Sequence, residues 1–361
     1  MPKAQRKALV DALTAATVDA DRAELPVECG IEIRDGKTAD VKMENPLTRP
    51  VAFTVKAGDK SETITLKARE ARDFTVALPK AVAFDRYETV KLPVSFTLPD
   101  GRAFDRTFET DAIAVTHVDG RPDWTKVPSA PFEHCYSMHK MSEKPNAPKS
   151  ADDCSIRSQL AWNEKSLYLR FTVKDDTFVV SGDFESKYAW WKRFGYDGIQ
   201  LFFDAFGNAN ANYRRGVIGH DFDDFSYELC PIPADNAKFP SGGAVYRRFA
   251  PDHQHTGGAI VGFKHMTVET NVVCSVTREG GTTVYEAEFP LYYLMPMKLV
   301  GAADRVTAKG DGAPALGVEF YDRDEKDIFP KFKMTNIRGE SFENPQGCGN
   351  PHLYPQLIFV K

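Results

Sequence analysis

Ser155-Ile-Arg-Ser-Gln-Leu-Ala-Trp162, then Asn163-Glu-Lys-Ser166, then Leu167-Tyr-Leu-Arg-Phe-Thr-Val173 is the stretch on which the fold turns. Apolar residues fall on alternate positions, Ile156, Leu160 and Trp162 on one flank and Leu167, Leu169, Phe171 and Val173 on the other, with a four-residue turn between them, so the run reads as a β-hairpin. Four more strand-like runs lie downstream: Tyr196-Asp-Gly-Ile-Gln-Leu-Phe-Phe-Asp204, Thr283-Val-Tyr-Glu-Ala-Glu-Phe289, Leu316-Gly-Val-Glu-Phe-Tyr-Asp322 and Gln356-Leu-Ile-Phe-Val360. The gaps between them are long enough to carry functional loops.

Upstream, Cys29–Arg34, Ala39–Glu44, Val51–Lys56, Thr63–Lys67, Arg72–Leu78 and Leu92–Leu98 alternate in the same way, separated by turn signals such as Arg34-Asp-Gly36 and Pro99-Asp-Gly101. About seven short strands in about 90 residues predict an immunoglobulin-like sandwich. Residues 3–20 predict a short amphipathic helix with Leu9, Val10 and Leu13 on one face. The expected organisation is therefore a helix and linker over 1–24, an immunoglobulin-like β-sandwich over 25–115, and a larger β-sandwich over 116–361. The fold class is mainly β.

Composition narrows the function. The 46 basic and 51 acidic residues leave a net charge of -5 with no long basic block, which argues against nucleic acid as a partner. No run approaches the roughly 20 apolar residues that span a bilayer. Asp11 breaks the apolar stretch after the basic start, so the beginning does not read as a signal-peptide core. The expectation from this alone is a chain that stays inside the cell or is a piece of a longer one. Of the six cysteines, Cys29 stands alone in the first sandwich. Cys135, Cys154, Cys230, Cys274 and Cys348 form an odd set in the second, allowing two bridges there or buried thiols.

The larger sandwich resembles the family 9 carbohydrate-binding modules and related DOMON-type sandwiches. Val118-Asp-Gly-Arg-Pro-Asp-Trp124 is similar to the family's opening I-D-G-x-x-D element with its Trp, and Leu160-Ala-Trp-Asn-Glu-Lys-Ser-Leu-Tyr-Leu169 to its W-D-x-x-x-L-Y hairpin. Val173-Lys-Asp resembles its V-x-D strand end, and Asp197-Gly-Ile-Gln-Leu-Phe-Phe-Asp204 its D-S-V-E strand. Ser341-Phe-Glu-Asn-Pro345 resembles its closing S-W-x-D-P loop. Met43-Glu-Asn-Pro-Leu-Thr-Arg-Pro-Val51 similarly resembles the strand turn of sandwich domains found beside sugar-processing modules.

The resemblance implies a saccharide held between two aromatic rings, with polar groups bonding its hydroxyls. A pyranose offers apolar C–H faces that favour an aromatic surface, and each buried hydroxyl needs a partner. By position the rings are Phe194 and Phe342, where the family carries Trp. Trp190 or Trp191, in Lys187-Tyr-Ala-Trp-Trp-Lys-Arg-Phe194, supplies further stacking area. Gln200 takes the family's strand Glu position, and Glu228 stands where a basic residue is expected. Arg193, Gln200, Asn344 and Glu228 are the hydroxyl partners. Trp124 and Trp162 are read as core.

The remaining polar clusters are weighed separately. Asp175, Asp176, Asp197, Asp204, Asp223, Asp224, Glu228, Glu286, Glu288, Glu319, Asp322 and Asp324 raise a glycosidase reading, but the sequence sets no separation between any pair. Calcium is considered at Asp221-Phe-Asp-Asp224 and Asp322-Arg-Asp-Glu-Lys-Asp327, hard oxygen donors without EF-hand spacing, and solvated loop charge is the preferred account. His253-Gln-His255 lacks a third metal ligand, and adjacent Met138 and His139 cannot bind opposite faces of one haem. The expected function is non-catalytic binding of an oligo- or polysaccharide with no cofactor, secreted, at the cell surface or periplasmic by resemblance. The alternatives are an accessory part of a glycoside hydrolase, a hydrolase in its own right, or a structural interdomain module.

Overall fold

The computed structural model describes residues 25–137, 148, 150–180, 196–205, 224–249, 267–294, 314–323, 332–337 and 353–361. The expected helix over residues 3–20 lies outside them. By their contacts the described residues form two units. One takes residues up to Glu32 with Thr38–Pro79 and Lys91–Glu109, and the other takes Ile33–Lys37, Lys80–Val90 and everything from Thr110 on.

The smaller unit draws on β1 (Glu28–Ile33), β2 (Thr38–Glu44), β3 (Val51–Ala57), β4 (Lys60–Leu66), β5 (Ala71–Ala77), β6 (Glu88–Thr97) and the first part of β7 (Ala103–His117). One sheet has the order β1-β2-β5. In the other, β3 pairs antiparallel with β4 and with β6. Alternation works as expected: Val41, Phe53, Val55, Ile64, Leu66, Phe74 and Phe96 are all buried, and the Phe53 and Phe96 rings meet at 5.9 Å. Asn45 shows why the Asn-Pro turn is built as it is. Its buried amide donates to the carbonyls of Arg49, Leu66 and Lys67, and its oxygen accepts from Leu47 N. One side chain thus satisfies four backbone groups at a strand crossing.

The larger unit is a β-sandwich. The quoted hairpin appears as β10 (Cys154–Trp162) and β11 (Ser166–Asp175), following β8 (Ala130–Pro131) and β9 (His134–Ser137). Leu160 faces Leu169, and the turn closes on Asn163, whose side-chain oxygen accepts from Lys165 N and Ser166 N, both at 2.9 Å. The described strands that follow are β12 (Gly198–Asp204), β13 (Asp224–Pro231), β14 (Gly243–Phe249), β15 (Thr267–Glu269), β16 (Val273–Glu279) and β17 (Thr282–Pro290). A short helix, α1 (Leu291–Leu294), precedes β18 (Ala315–Asp322), β19 (Phe332–Thr335) and β20 (Gln356–Val360).

In one sheet of the sandwich the order runs β16-β17-β11-β10. In the other it runs β15-β14-β13-β12-β18-β19-β9. The end of β7 pairs in parallel with β20 and with β10. Ile156, Leu169, Phe171, Tyr285 and Phe289 from the first sheet meet Ile199, Leu201, Phe203, Leu229 and Phe320 from the second in one core. Trp162 is 1% exposed and packs edge-on against Phe359 at 5.1 Å, which places it in the core as its strand position predicts. Among the described residues no disulfide forms: Cys29, Cys135, Cys154, Cys230 and Cys274 keep their thiols. No helix among them is long and apolar enough to cross a membrane.

Candidate functional site

Period-two alternation sends Ile199, Leu201 and Phe203 of β12 into the core and turns Gln200 to the opposite face. On that face Gln200 stands beside Glu228 of β13 on one side and Glu319 of β18 on the other. The row continues to Tyr246 and Thr335. Gln200, Glu228, Glu319 and Thr335 are all buried. Two small apolar clusters flank them, one built on Tyr196, Cys230 and Tyr246, the other on Phe202, Ile337 and Tyr354.

Hydrogen bonds tie the row together. Tyr196 Oη donates to Glu228 Oε1 at 2.7 Å and lies 3.1 Å from Cys230 Sγ. Tyr321 Oη lies 2.6 Å from Glu319 Oε2 and 2.7 Å from the Gln200 side-chain oxygen, while Gln200 Nε2 faces Ser226 Oγ at 3.4 Å. One phenolic proton cannot serve both acceptors. Turning the Gln200 amide satisfies the geometry: its NH2 then donates to Tyr321 Oη, its oxygen accepts from Ser226 Oγ, and the phenol donates to Glu319. Burial, with the Cys230 and Glu228 groups beside it, holds the Tyr196 phenol well above its ordinary pKa. It acts here as a donor.

Glycine makes room for this arrangement twice. A methyl group at Gly198 would sit 2.8 Å from the Tyr196 ring, and one at Gly317 would sit 2.7 Å from the Tyr354 ring. Each aromatic ring occupies the space that a side chain on the neighbouring strand position would fill.

At one end of the sandwich three buried carboxylates converge. Oxygens of Asp175, Asp197 and Asp322 lie within 4.8 Å of one another. Asp197 Oδ2 accepts from Val179 N at 2.6 Å and its Oδ1 from Arg323 N at 2.9 Å. Asp175 Oδ1 accepts from Thr177 N, and Arg278 bonds the Asp175 carbonyl at 2.8 Å. Desolvation, together with the Asp175 charge, pushes Asp197 up to about 8. Asp175 rises to about 6, chiefly by desolvation. Three hard oxygen donors of this kind suit a cation such as calcium better than a soft metal. Asp322 was expected in a solvated loop; it is buried, because it ends the core strand β18 and faces two other carboxylates.

Of the side chains predicted to bind ligand, Gln200 and Glu228 are described, and they are direct neighbours. Trp190, Trp191, Arg193, Phe194, Phe342 and Asn344 lie outside the described residues, as do Asp221, Asp223, Asp324, Asp327, the 253–255 histidine pair and Met138-His139. Trp124 is a correction. It was read as core, yet it is only partly buried, because it lies in the loop after β7 and packs against Val127, Ala161 and Tyr168 at the surface of the first sheet. Ser226, Tyr196 and Tyr321 were missed, although strand alternation already puts Tyr321 and Glu319 on one face.

No protein-family model and no curated protein matches this chain. Among solved structures it is similar to a family 9 carbohydrate-binding module from Caldicellulosiruptor kristjanssonii in complex with cellotriose, at 12% identity and TM-score 0.40, covering 69% of this chain and 95% of that one. A family 9 carbohydrate-binding module from Caldicellulosiruptor kristjanssonii in complex with glucose gives 12% identity, TM-score 0.38, and 69% and 97% coverage. A protein from Bacteroides uniformis described as carbohydrate-binding gives 12% identity, TM-score 0.34, and 69% and 98% coverage. Likenesses at this level do not place the chain in a family.

Proposed function

We propose that this chain binds carbohydrate without transforming it, through a site on the face of the larger sandwich that carries Gln200. The observation that carries the reading is the row Glu319–Gln200–Glu228, polar groups set side by side across three strands on the face turned away from the core. Their amide and carboxylates match the hydroxyls of a sugar in kind, and Gln200 holds the strand position at which the sequence resemblance implies a hydroxyl contact. Stacking comes from Trp190 or Trp191, Phe194 and Phe342, with Arg193 and Asn344 as further polar partners. Residues 116–361 form the binding domain and residues 25–115 an immunoglobulin-like support. The setting is secreted, at the cell surface or periplasmic, beside a glycosidase. Contacts to single sugars are weak, so affinity is micromolar or poorer unless the site is tethered to others.

Titration with glucose-based and other neutral oligosaccharides tests this, comparing the native chain with Gln200→Ala and with the Trp191→Ala, Phe342→Ala pair. The expected result is one binding component that falls at least about tenfold in Gln200→Ala and is lost in the pair while the melting temperature of the pair holds. Equal binding in all three ends the proposal. Release of reducing sugar points to a hydrolase, and silence in both assays points to a structural module.

A further inference from the structure

The other sheet of the same sandwich carries a second feature on its outer face. Across β10, β11, β17 and β16 two side-chain rows run in register: Ala161, Tyr168, Glu288 and Val273, then Gln159, Arg170, Glu286 and Ser275. Above them the loop from Arg121 to Val127 forms a wall, and between wall and sheet lies an open depression of about 300 Å³ bordered by Trp124, Tyr168, Ser275, Glu286 and Glu288. That volume is at the lower end of small-ligand sites, about 300–1,000 Å³. Val273, 57% exposed, forms an apolar lip.

The wall is fixed before any ligand arrives. Gln159 Nε2 donates to the carbonyls of Trp124 and Val127, both at 2.7 Å, and Asn163 Nδ2 donates to Gly120 O at 3.1 Å. Asp123 closes the turn by accepting from Thr125 N and Thr125 Oγ1. Preorganisation of this kind lowers the ordering cost of binding.

Charge selects the ligand class. Arg121 pairs with Glu288 at 3.1 Å, and Arg170 approaches Glu286 at 3.6 Å, beyond hydrogen-bond reach, with its guanidinium 5.9 Å from the centre of the Trp124 ring. Two cations balance two anions, so an ionic ligand gains little. A neutral polyhydroxyl ligand can use the carboxylates as acceptors, Arg121 as donor, and the indole as a surface for its C–H face.

We infer that this depression is a second saccharide-binding site, accepting a neutral pyranose unit against Trp124, on the sheet opposite the one that carries Gln200. It shares the ligand class of the proposed function but none of its residues, so the two stand or fall separately. The test uses the full chain and a panel of neutral hexasaccharides of glucose, xylose, mannose and galactose at millimolar concentration, read by calorimetry and saturation-transfer NMR. Val273→Arg fills the depression from an exposed position, Glu286→Gln removes a charge at constant shape, and Trp124→Ala removes the indole. Each is expected to weaken one binding component on the order of tenfold, while Gln200→Ala leaves that component unchanged. If folded Val273→Arg and Glu286→Gln bind every hexasaccharide as the native chain does, the inference is overturned. Binding of a lysine-rich peptide here in place of any sugar overturns it equally.

Discussion

Gln200 and Glu228 are direct cross-strand partners, each 3% exposed, on the face of β12 and β13 that points away from the core. Glu228 also accepts the phenolic proton of Tyr196, itself a buried side chain. Removing that acceptor leaves the buried hydroxyl only the weak sulfur acceptor of Cys230, 3.1 Å away. Glu228→Ala is therefore expected to cost about 1–3 kcal/mol, and Glu228→Gln, which keeps a carbonyl oxygen, less than about 1 kcal/mol. Urea unfolding of the two variants checks this, and equal losses would show that the Tyr196 bond contributes nothing.

Gly198→Ala puts a methyl group against the Tyr196 ring, 2.8 Å away before relaxation. The ring cannot move without lengthening its bond to Glu228. Overpacking of this sort costs about 1–3 kcal/mol, and the near-ultraviolet tyrosine signal should change with it. An unaltered melting temperature would mean that the ring yields freely.

Protonation links the Asp175, Asp197 and Asp322 cluster to pH. Asp197 at about 8 and Asp175 at about 6 bind protons more tightly than in the unfolded chain, where an aspartate titrates near about 3.9. Their contribution to stability is complete below pH 4 or so and is lost as pH rises through about 6 and then about 8. Asp175→Asn keeps the oxygen that accepts from Thr177 N and removes one charge, so its melting temperature at pH 8 should exceed the native one by about 3 °C, with a flatter pH profile. Added calcium should raise the native melting temperature at pH 8 and leave that of Asp175→Asn nearly unmoved. Parallel profiles for the two proteins, with and without calcium, would remove both claims.

The two tryptophans of the family-like landmarks should part company in stability. Trp162→Ala empties a core position packed on Phe359 and is expected to cost about 3–5 kcal/mol. Trp124→Ala, at a half-buried surface position, should cost less than half of that in the same denaturant titration.

The difference between Trp162 and Trp124 also shows what the sequence makes legible. Trp162 lies in a strand, where alternation assigns a face, and its neighbours Leu160 and Leu167 agree with it. Trp124 lies in a loop, where no period applies, and only its three-dimensional neighbours decide its burial. The hairpin Cys154–Asp175 could be read because its pairing is local. The adjacency of Gln200 with Glu228 and Glu319 could not, since register between distant strands is set by core packing rather than by spacing. The carboxylate cluster was hidden for the same reason, its members drawn from three separated strand ends.

Strand β7 has a kinetic consequence. Its segment Ala112–Thr116 pairs in parallel with Gln356–Val360, about 240 residues later in the chain. At a synthesis rate of roughly 5–20 residues per second, Ile113 and Val115 wait roughly 12–50 s for their partners. During that interval an apolar strand edge stays open to other nascent chains. Yield of native protein should therefore depend on translation speed and chaperone supply more steeply than final stability would suggest.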